Sequence, residues 1–184
     1  MMRKLPLMIA AGMIGAMGLA QAALADPAPK LPYTKMADLP IVSMQVYDEK
    51  ANADQLVDDA MAKAKKTHKL LLIDEGGNWC PDCVVLHNLM LVPAMQKFMD
   101  AHYVVAMVDV GKFDRNPQIA ARYGYTERLK GVPTILVVNP ATNKVINSEQ
   151  VFALSNAGHQ TPQDLADYLA RWTEPAALNT ASNK

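Results

Sequence analysis

Asp-Glu-Gly-Gly-Asn-Trp-Cys-Pro-Asp-Cys, residues 74–83, is the stretch of sequence that decides the fold. It ends a short apolar run, Leu70 to Asp74, which is typical of a buried strand, and two glycines break that run. If Cys80 caps a helix, Pro81 falls at the first helical position, where its missing N–H costs nothing. The stretch therefore predicts a buried strand, a tight loop and a helix that begins beside Cys80.

This helix start would give the two cysteines different chemistry. The backbone N–H groups of Asp82 and Cys83 would point at the Cys80 sulfur, and the helix N-terminus would add partial positive charge. Both effects lower the pKa of the Cys80 thiol, while the nearby Asp82 carboxylate opposes them. Cys83 lies one helical turn further on and could attack a mixed disulfide formed at Cys80. The spacing thus predicts an exposed attacking thiol and a deeper resolving thiol.

Composition narrows the possible functions before any family is considered. The chain has 184 residues, of which 51% are hydrophobic, enough for a packed core. Its 18 basic and 18 acidic residues balance, whereas a nucleic-acid-binding protein needs a basic surface. Two cysteines cannot form a multi-bridge disulfide scaffold or a four-cysteine zinc site. We therefore expect one globular domain without a nucleic-acid partner.

Residues 1–25 have the three-part pattern of a secretory signal peptide. Two basic residues precede an apolar run, and small-x-small sites favour cleavage after Ala25 or, alternatively, after Ala22. The apolar run is short for a membrane span, so an uncleaved anchor is the less favoured alternative. We expect a periplasmic protein without stable membrane insertion after cleavage, in a compartment where disulfides persist.

The rest of the chain alternates between strand and helix patterns. Residues 26–44 form a proline-rich extended lead-in, residues 45–172 the folded domain and residues 173–184 a flexible tail, with an edge strand possible at Ile41 to Tyr47. The predicted helices cover Ala53 to Lys66, Cys80 to Asp100 with a break near Pro93, Asn116 to Gly124, and Thr161 to Trp172. The other predicted strands cover Leu70 to Asp74, Val104 to Val110, Thr134 to Val138, and Val145 to Asn147. This order predicts an α/β fold with a mixed central sheet and helices on both faces.

Three features resemble the thioredoxin superfamily. Trp79-Cys80-Pro81-Asp82-Cys83 is similar to its active-site motif, and Gly131-Val132-Pro133-Thr134 is similar to its cis-proline loop. Asp74, six residues before Cys80, matches the position of the buried acid of that family. The resemblance covers approximately residues 45–172 and implies a thioredoxin fold.

The resemblance also implies a role for each matching residue. Cys80 would attack a substrate disulfide, Cys83 would resolve the mixed disulfide, and Asp74 would accept the proton of Cys83, directly or through water. A cis peptide bond between Val132 and Pro133 would face the cysteines. The substrate surface would consist of Trp79, Pro81, Val132 and Pro133.

The implied activity is thiol–disulfide exchange with exported proteins, and it needs no bound cofactor or metal. Because Asp74 and Asp82 add negative charge near the cysteines, we expect the reducing direction. In an oxidising compartment the protein would then be re-reduced by a membrane electron donor.

Other interpretations of the cysteine pair stay open at this point. The pair could be a structural disulfide, or half of a zinc site with His87, although no second ligand pair has metal spacing. A thioredoxin-fold binding or assembly module is the alternative from another functional class. The sequence also departs from the family at Glu75, where an aromatic or aliphatic residue is usual.

Overall fold

The computed structural model describes residues 27–173, so the predicted signal peptide and nearly all of the predicted tail lie outside the described residues. Within this range the helices are α1 (Ala53–Thr67), α2 (Pro81–Met90), α3 (Pro93–His102), α4 (Pro117–Ala121) and α5 (Pro162–Arg171). The strands are β1 (Leu70–Gly76), β2 (Tyr103–Asp109), β3 (Thr134–Asn139) and β4 (Lys144–Val145). Among these helices, none has the length and apolar character needed to span a membrane.

The four strands form one mixed sheet in the order β2-β1-β3-β4. The central strand β1 pairs in parallel with β2, because the chain crosses over through α2 and α3 between them. It pairs antiparallel with β3, and a short turn returns β3 into the antiparallel strand β4. The predicted α/β fold with a mixed sheet is therefore confirmed.

Two hydrophobic cores cover the two faces of the sheet. One face of β1 carries Leu70 and Leu72 and packs against α2, α3 and α5. The other face carries Leu71 and Ile73 and packs against α1 and α4. Because side chains alternate along a strand, the next two residues of β1, Asp74 and Glu75, are directed to opposite faces.

The predicted edge strand at Ile41 to Tyr47 is wrong. This segment runs over the surface without strand pairing, and asparagine side chains from elsewhere bind its backbone. Asn88 Oδ1 accepts two successive N–H groups of the segment, at 2.5 and 3.0 Å, and Asn78 Oδ1 accepts two more, at 2.8 and 2.9 Å. These amide groups take the place of a neighbouring strand and satisfy the backbone donors.

The helix predicted from Asn116 to Gly124 is shorter in the structure, where α4 covers Pro117–Ala121. Asn116 does precede the helix, but its backbone is left-handed, with φ 51°, and its side chain makes no capping bond. Its Nδ2 instead donates to the Asp109 carbonyl at 2.8 Å, which ties the start of α4 to the end of β2. By contrast, Thr161 and Asp164 form the predicted start of α5 as a complete capping box.

The return strand β4 is shorter than the predicted Val145 to Asn147, because Asn147 replaces strand pairing with side-chain bonds. Its Oδ1 accepts the N–H of Val137 at 2.9 Å, and its Nδ2 donates to the carbonyl of Ile135 at 2.7 Å. Asn147 is only 1% exposed, so water cannot take over these contacts.

Replacing Asn147 by alanine is expected to lower the free energy of unfolding by about 3 kcal/mol, because it leaves a buried N–H and a buried carbonyl of β3 unpaired. Urea unfolding at neutral pH measures the change. The matched control is Asn156→Ala, which removes an exposed amide that binds the Gln160 side chain, and it should change stability by less than about 0.5 kcal/mol. Equal stabilities for the two variants would contradict the assignment.

Candidate active site

The N-terminus of α2 holds the two cysteines in the predicted arrangement. Cys80 is the capping residue with extended backbone, and Pro81 occupies the first turn. The two cysteines form a disulfide with their Cα atoms 5.3 Å apart. Of the two N–H groups expected to reach the Cys80 sulfur, that of Cys83 donates to it at 3.2 Å. The sulfur of Cys80 thus lies in the positive field of a helix N-terminus.

The two sulfurs differ in access, but less than the sequence predicted. Cys83 is fully buried and Cys80 is 3% exposed, so the expectation of a well-exposed Cys80 is wrong. The physical reason is a small apolar cluster of Tyr47, Val110 and Val132 that packs around the disulfide. The small exposed area of the cysteine pair belongs to Cys80, so Cys80 is the more accessible of the two cysteines, as predicted.

The loop before β3 lies against the disulfide. The peptide bond between Val132 and Pro133 is cis, as the family resemblance implied. The Val132 carbonyl oxygen lies 3.5 Å from Cys80 Sγ, and Pro133 is buried directly before the strand begins. Thr134 Oγ1 closes the loop by donating to the Gly131 carbonyl at 2.6 Å. The structure therefore places Val132 in contact with the cysteine pair and Pro133 next to it in the chain.

Trp79 and Pro81 form the exposed border of the site. Trp79 is 40% exposed, and its Nε1 donates to the Gly111 carbonyl at 2.5 Å. Its ring centroid lies 5.8 Å from that of Phe113, and Lys112 Nζ lies 4.0 Å from the Trp79 ring. The indole is therefore held from the loop after β2 and remains partly exposed. Substrate contact stays a prediction for four residues: Trp79, Pro81, Val132 and Pro133.

The Asp82 carboxylate, which was expected to oppose thiolate formation, has a backbone partner. Its Oδ1 accepts the N–H of Gly158 at 2.7 Å, within the 3-10 turn Ala157–His159. A hydrogen bond to a carboxylate partly compensates its negative charge. The same contact fastens the first turn of α2 to the segment that precedes α5.

Asp74 is buried beneath the site at the end of β1. It is 0% exposed, and the Tyr47 hydroxyl donates to its Oδ1 at 2.8 Å. Its Oδ2 has no hydrogen-bond partner. Burial raises the pKa of Asp74 to about 7, although the hydrogen bond from Tyr47 opposes that rise. Asp74 is thus a carboxyl group that can gain or lose a proton near neutral pH.

Gly76 brings Asp74, Tyr47 and Cys83 together. A Cβ atom at position 76 would lie 2.7 Å from Tyr47 Cζ and 2.8 Å from Cys83 Sγ, so only glycine leaves room for both groups. Asp74 lies two residues earlier on the same face of the strand. The predicted pairing of the buried acid with the second cysteine is therefore supported by position, while its role in proton transfer stays a prediction.

Glu75, on the opposite face of β1, is a second buried acid. It is 0% exposed, and its carboxylate makes no well-formed hydrogen bond, although the Ala120 backbone lies close enough to oppose a rise in its pKa. Burial raises the pKa of Glu75 to about 8, and the neighbouring Asp74 carboxyl adds to the rise. Glu75 lines a cavity of about 250 Å³ together with Phe113 and Arg128. The sequence signalled it only as a departure from the family pattern.

Sequence reasoning missed two residues of the site, Tyr47 and Asn78. Both act through contacts between distant parts of the chain, since Tyr47 reaches Asp74 across 27 positions and Asn78 binds the backbone of Val46 and Tyr47. The one signal in the sequence was Asn78 itself, a polar residue between two glycines and Trp79.

The structure gives the zinc alternative no ligand set. Between residues 27 and 173, no three side chains of His, Cys, Asp or Glu come together in an arrangement that could hold a metal ion. His87 lies half-buried on α2, where burial lowers its pKa.

The raised pKa of Glu75 predicts how stability depends on pH. The folded chain binds a proton more tightly than the unfolded chain, so the free energy of unfolding falls as the pH rises from about 4.5 to about 8. Glu75→Gln removes this contribution, and between pH 5 and pH 9 it should lose on the order of 4 kcal/mol less stability than the wild type. Urea unfolding at both pH values tests this.

The control for that experiment is Glu127→Gln, which changes an exposed carboxylate beside the same cavity and should follow the wild-type pH profile. Parallel profiles for Glu75→Gln and the wild type would show that Glu75 is ionised in the folded protein.

Comparison with known proteins agrees with the fold. A family described as thioredoxin-like matches residues 52–140. Thioredoxin from Chlorobaculum thiosulfatiphilum is 30% identical over 70 residues, which cover 38% of this chain. That match spans 56% of the length of the thioredoxin, just over half.

A solved structure is similar over a longer range. The crystal structure of a disulphide isomerase from Xylella fastidiosa Temecula1 superimposes with a TM-score of 0.66 and 35% sequence identity. The match covers 71% of this chain and 98% of that protein. From the mixed sheet, the cysteine pair at the helix start and these similarities, we conclude that the chain belongs to the thioredoxin superfamily.

Proposed function

We propose that the protein is a thiol–disulfide oxidoreductase that exchanges disulfides with partner proteins. The observation that carries this proposal is the pair Cys80 and Cys83, closed as a disulfide at the N-terminus of α2 and flanked by the Val132 carbonyl. The similarity to a protein described as a disulphide isomerase supports the same activity.

The first step uses the dithiol form of the protein. The Cys80 thiolate attacks one sulfur of a substrate disulfide, a new S–S bond forms, and the substrate S–S bond breaks. The departing substrate sulfur leaves as a thiolate and takes a proton from water. The N–H of Cys83, which lies 3.2 Å from the Cys80 sulfur in the disulfide form, favours the attacking thiolate by donating to its negative charge.

The second step returns the protein to the disulfide form seen in the structure. Cys83 gives its proton to the free Oδ2 of Asp74, and the resulting thiolate attacks Cys80 Sγ. The bond between Cys80 and the substrate breaks, and the second substrate sulfur leaves as a thiolate. The substrate gains two electrons, and the cysteine pair loses two.

We further propose the reducing direction, in the periplasm, with exported proteins as substrates and a membrane electron donor that restores the dithiol. The acidic groups Asp74 and Asp82 near the pair support this direction, because they oppose the very low thiolate pKa of strong oxidants. Partner proteins would bind across the exposed Trp79 and Pro81 and the adjacent loop of Val132 and Pro133.

One observation favours a second candidate. The disulfide is nearly buried, with Cys80 3% exposed, as a structural bridge in a binding or assembly module would be. The two candidates differ in a measurable way, because a structural bridge gives no reduction of external disulfides.

Separate replacement of each cysteine distinguishes the two functions. Cys80→Ser should reduce a peptide disulfide at least about 100-fold more slowly than the wild type, because the attacking sulfur is gone. Cys83→Ser should instead accumulate a covalent mixed disulfide, since attack can occur but resolution cannot. Single-turnover kinetics and mass spectrometry of the adduct provide the measurement. Reduction that is independent of Cys80 would exclude the oxidoreductase proposal.

Replacing Asp74 tests the proton acceptor. Asp74→Asn should slow the decay of the Cys80 mixed disulfide by about tenfold to a hundredfold at pH 7, because an amide cannot accept the Cys83 proton. In the wild type that decay should rise with pH around a midpoint near 7, following the pKa of Asp74. The control Asp167→Asn changes an exposed acid on α5 and should leave the decay unchanged. The same pH profile in Asp74→Asn and the wild type would contradict this role.

A further inference from the structure

The segment between the lead-in and α1 contributes Tyr47 to the active site. The residue is 3% exposed, and its ring packs in the same apolar cluster as Cys80 and Cys83. Its hydroxyl donates to Asp74 Oδ1 at 2.8 Å. Tyr47 is the only side chain between residues 27 and 173 that donates a hydrogen bond to this carboxyl group.

The hydroxyl of Tyr47 makes the two oxygens of Asp74 unequal. Oδ1 already accepts a hydrogen bond, whereas Oδ2 has no partner and is free to take a proton. A carboxyl group held by one oxygen cannot rotate freely and exchange these roles. Because Tyr47 and Cys83 meet above Gly76, the same residue that holds Oδ1 also borders the sulfur whose proton must move.

The backbone of Tyr47 is held by the residue that precedes Trp79. Asn78 Oδ1 accepts the N–H of Tyr47 at 2.9 Å, and Asn78 Nδ2 donates to the Tyr47 carbonyl at 3.0 Å. The amide also binds Val46 N–H at 2.8 Å and Glu49 Oε1 at 3.1 Å, so its bonding capacity is fully used. The loop that leads to Cys80 thereby fixes the position of the tyrosine.

We propose that Tyr47 is a positioning residue, which holds the Asp74 carboxyl with its second oxygen open toward the resolving cysteine and favours the ionised state that accepts the proton. This inference rests on the proposed thiol–disulfide exchange and adds a residue to its resolution step. The segment between the lead-in and α1 is then part of the active site.

The charged groups around Tyr47 and Asp74 agree with this role. Beyond the cysteines, the titratable groups nearby are Glu75, the next residue of β1, and Asp109, at the end of β2. Asp109 is paired with Arg115 at 3.2 Å. Burial first, and the charge of Asp74 second, raise the pKa of Tyr47 well above its usual value, so the hydroxyl keeps its proton at neutral pH.

The test is Tyr47→Phe, which removes the hydroxyl and keeps the ring. Without its donor, the Asp74 carboxylate is less stable and its pKa rises. The midpoint of the pH profile for decay of the Cys80 mixed disulfide should therefore move up by about 0.5–1 pH unit, which corresponds to roughly a threefold to tenfold slower decay below the midpoint. Rapid-quench measurements between pH 5.5 and 9 give the midpoint.

The matched control is Tyr103→Phe. It also removes a buried hydroxyl, which donates to the Leu169 carbonyl at 2.6 Å in the core between β2 and α5. A general loss of stability would affect both variants, whereas only Tyr47→Phe should move the midpoint.

A double-mutant cycle shows whether Tyr47 acts through Asp74. In an Asp74→Asn background, Tyr47→Phe should cause no further change in the pH profile, because the group that it positions is absent. An unshifted midpoint in Tyr47→Phe, or an equal shift in both backgrounds, would overturn the proposal. If the wild type did not reduce a peptide disulfide at all, the proposed function itself would fail, so the two failures are distinguishable.

A second variant covers the case in which Tyr47→Phe does not fold. Asn78→Ala keeps the hydroxyl but releases the backbone of Tyr47, and it should shift the midpoint in the same direction. The wild-type midpoint in this variant would equally overturn the proposal.

Discussion

The hydrogen bond from the Cys83 N–H to the Cys80 sulfur is the contact on which the rest of the site depends. It exists because β1 ends in a glycine turn, Cys80 keeps extended backbone, and Pro81 starts the helix without needing a donor. This start directs the positive end of α2 at the sulfur that is nearest to solvent. The cis-proline loop then limits the remaining space by placing a carbonyl oxygen 3.5 Å from the same sulfur.

Two buried acids near the end of the central strand lie on opposite faces of the sheet. Asp74 has a donor, Tyr47, and a cysteine as neighbours, whereas Glu75 faces a cavity on the α1 and α4 side without a well-formed hydrogen bond. Burial raises the pKa of both acids, to about 7 and about 8. Of the two acids, Asp74 lies on the face of the sulfurs, and it is the one that we propose as the proton acceptor for Cys83. The cost in stability of burying Glu75 is separate from the redox chemistry.

Much of this arrangement could be predicted from local sequence patterns. The start of α2 at Pro81 and the mixed sheet follow from residue types at short spacing, whereas the cis bond before Pro133 and the burial of Asp74 were implied by the family resemblance. The errors occurred where side chains bind a distant backbone, as Asn88 does in the lead-in. Such contacts give no periodic pattern in the sequence, because a single side-chain amide can bind two backbone N–H groups of a distant segment. The burial of Cys80 depends on packing from three separate segments, which no local pattern encodes.

The ionisation of Cys80 in the reduced protein tests the central claim most directly. Thiolate absorbance in the ultraviolet, measured against pH for the wild type and for Cys83→Ser, follows this group. If the helix start and the Cys83 N–H stabilise the thiolate, Cys80 should titrate about one pH unit or more below the value of roughly 8.5 for a free thiol, while Cys83 titrates above that value. A Cys80 thiol that titrates at or above roughly 8.5 would contradict the account.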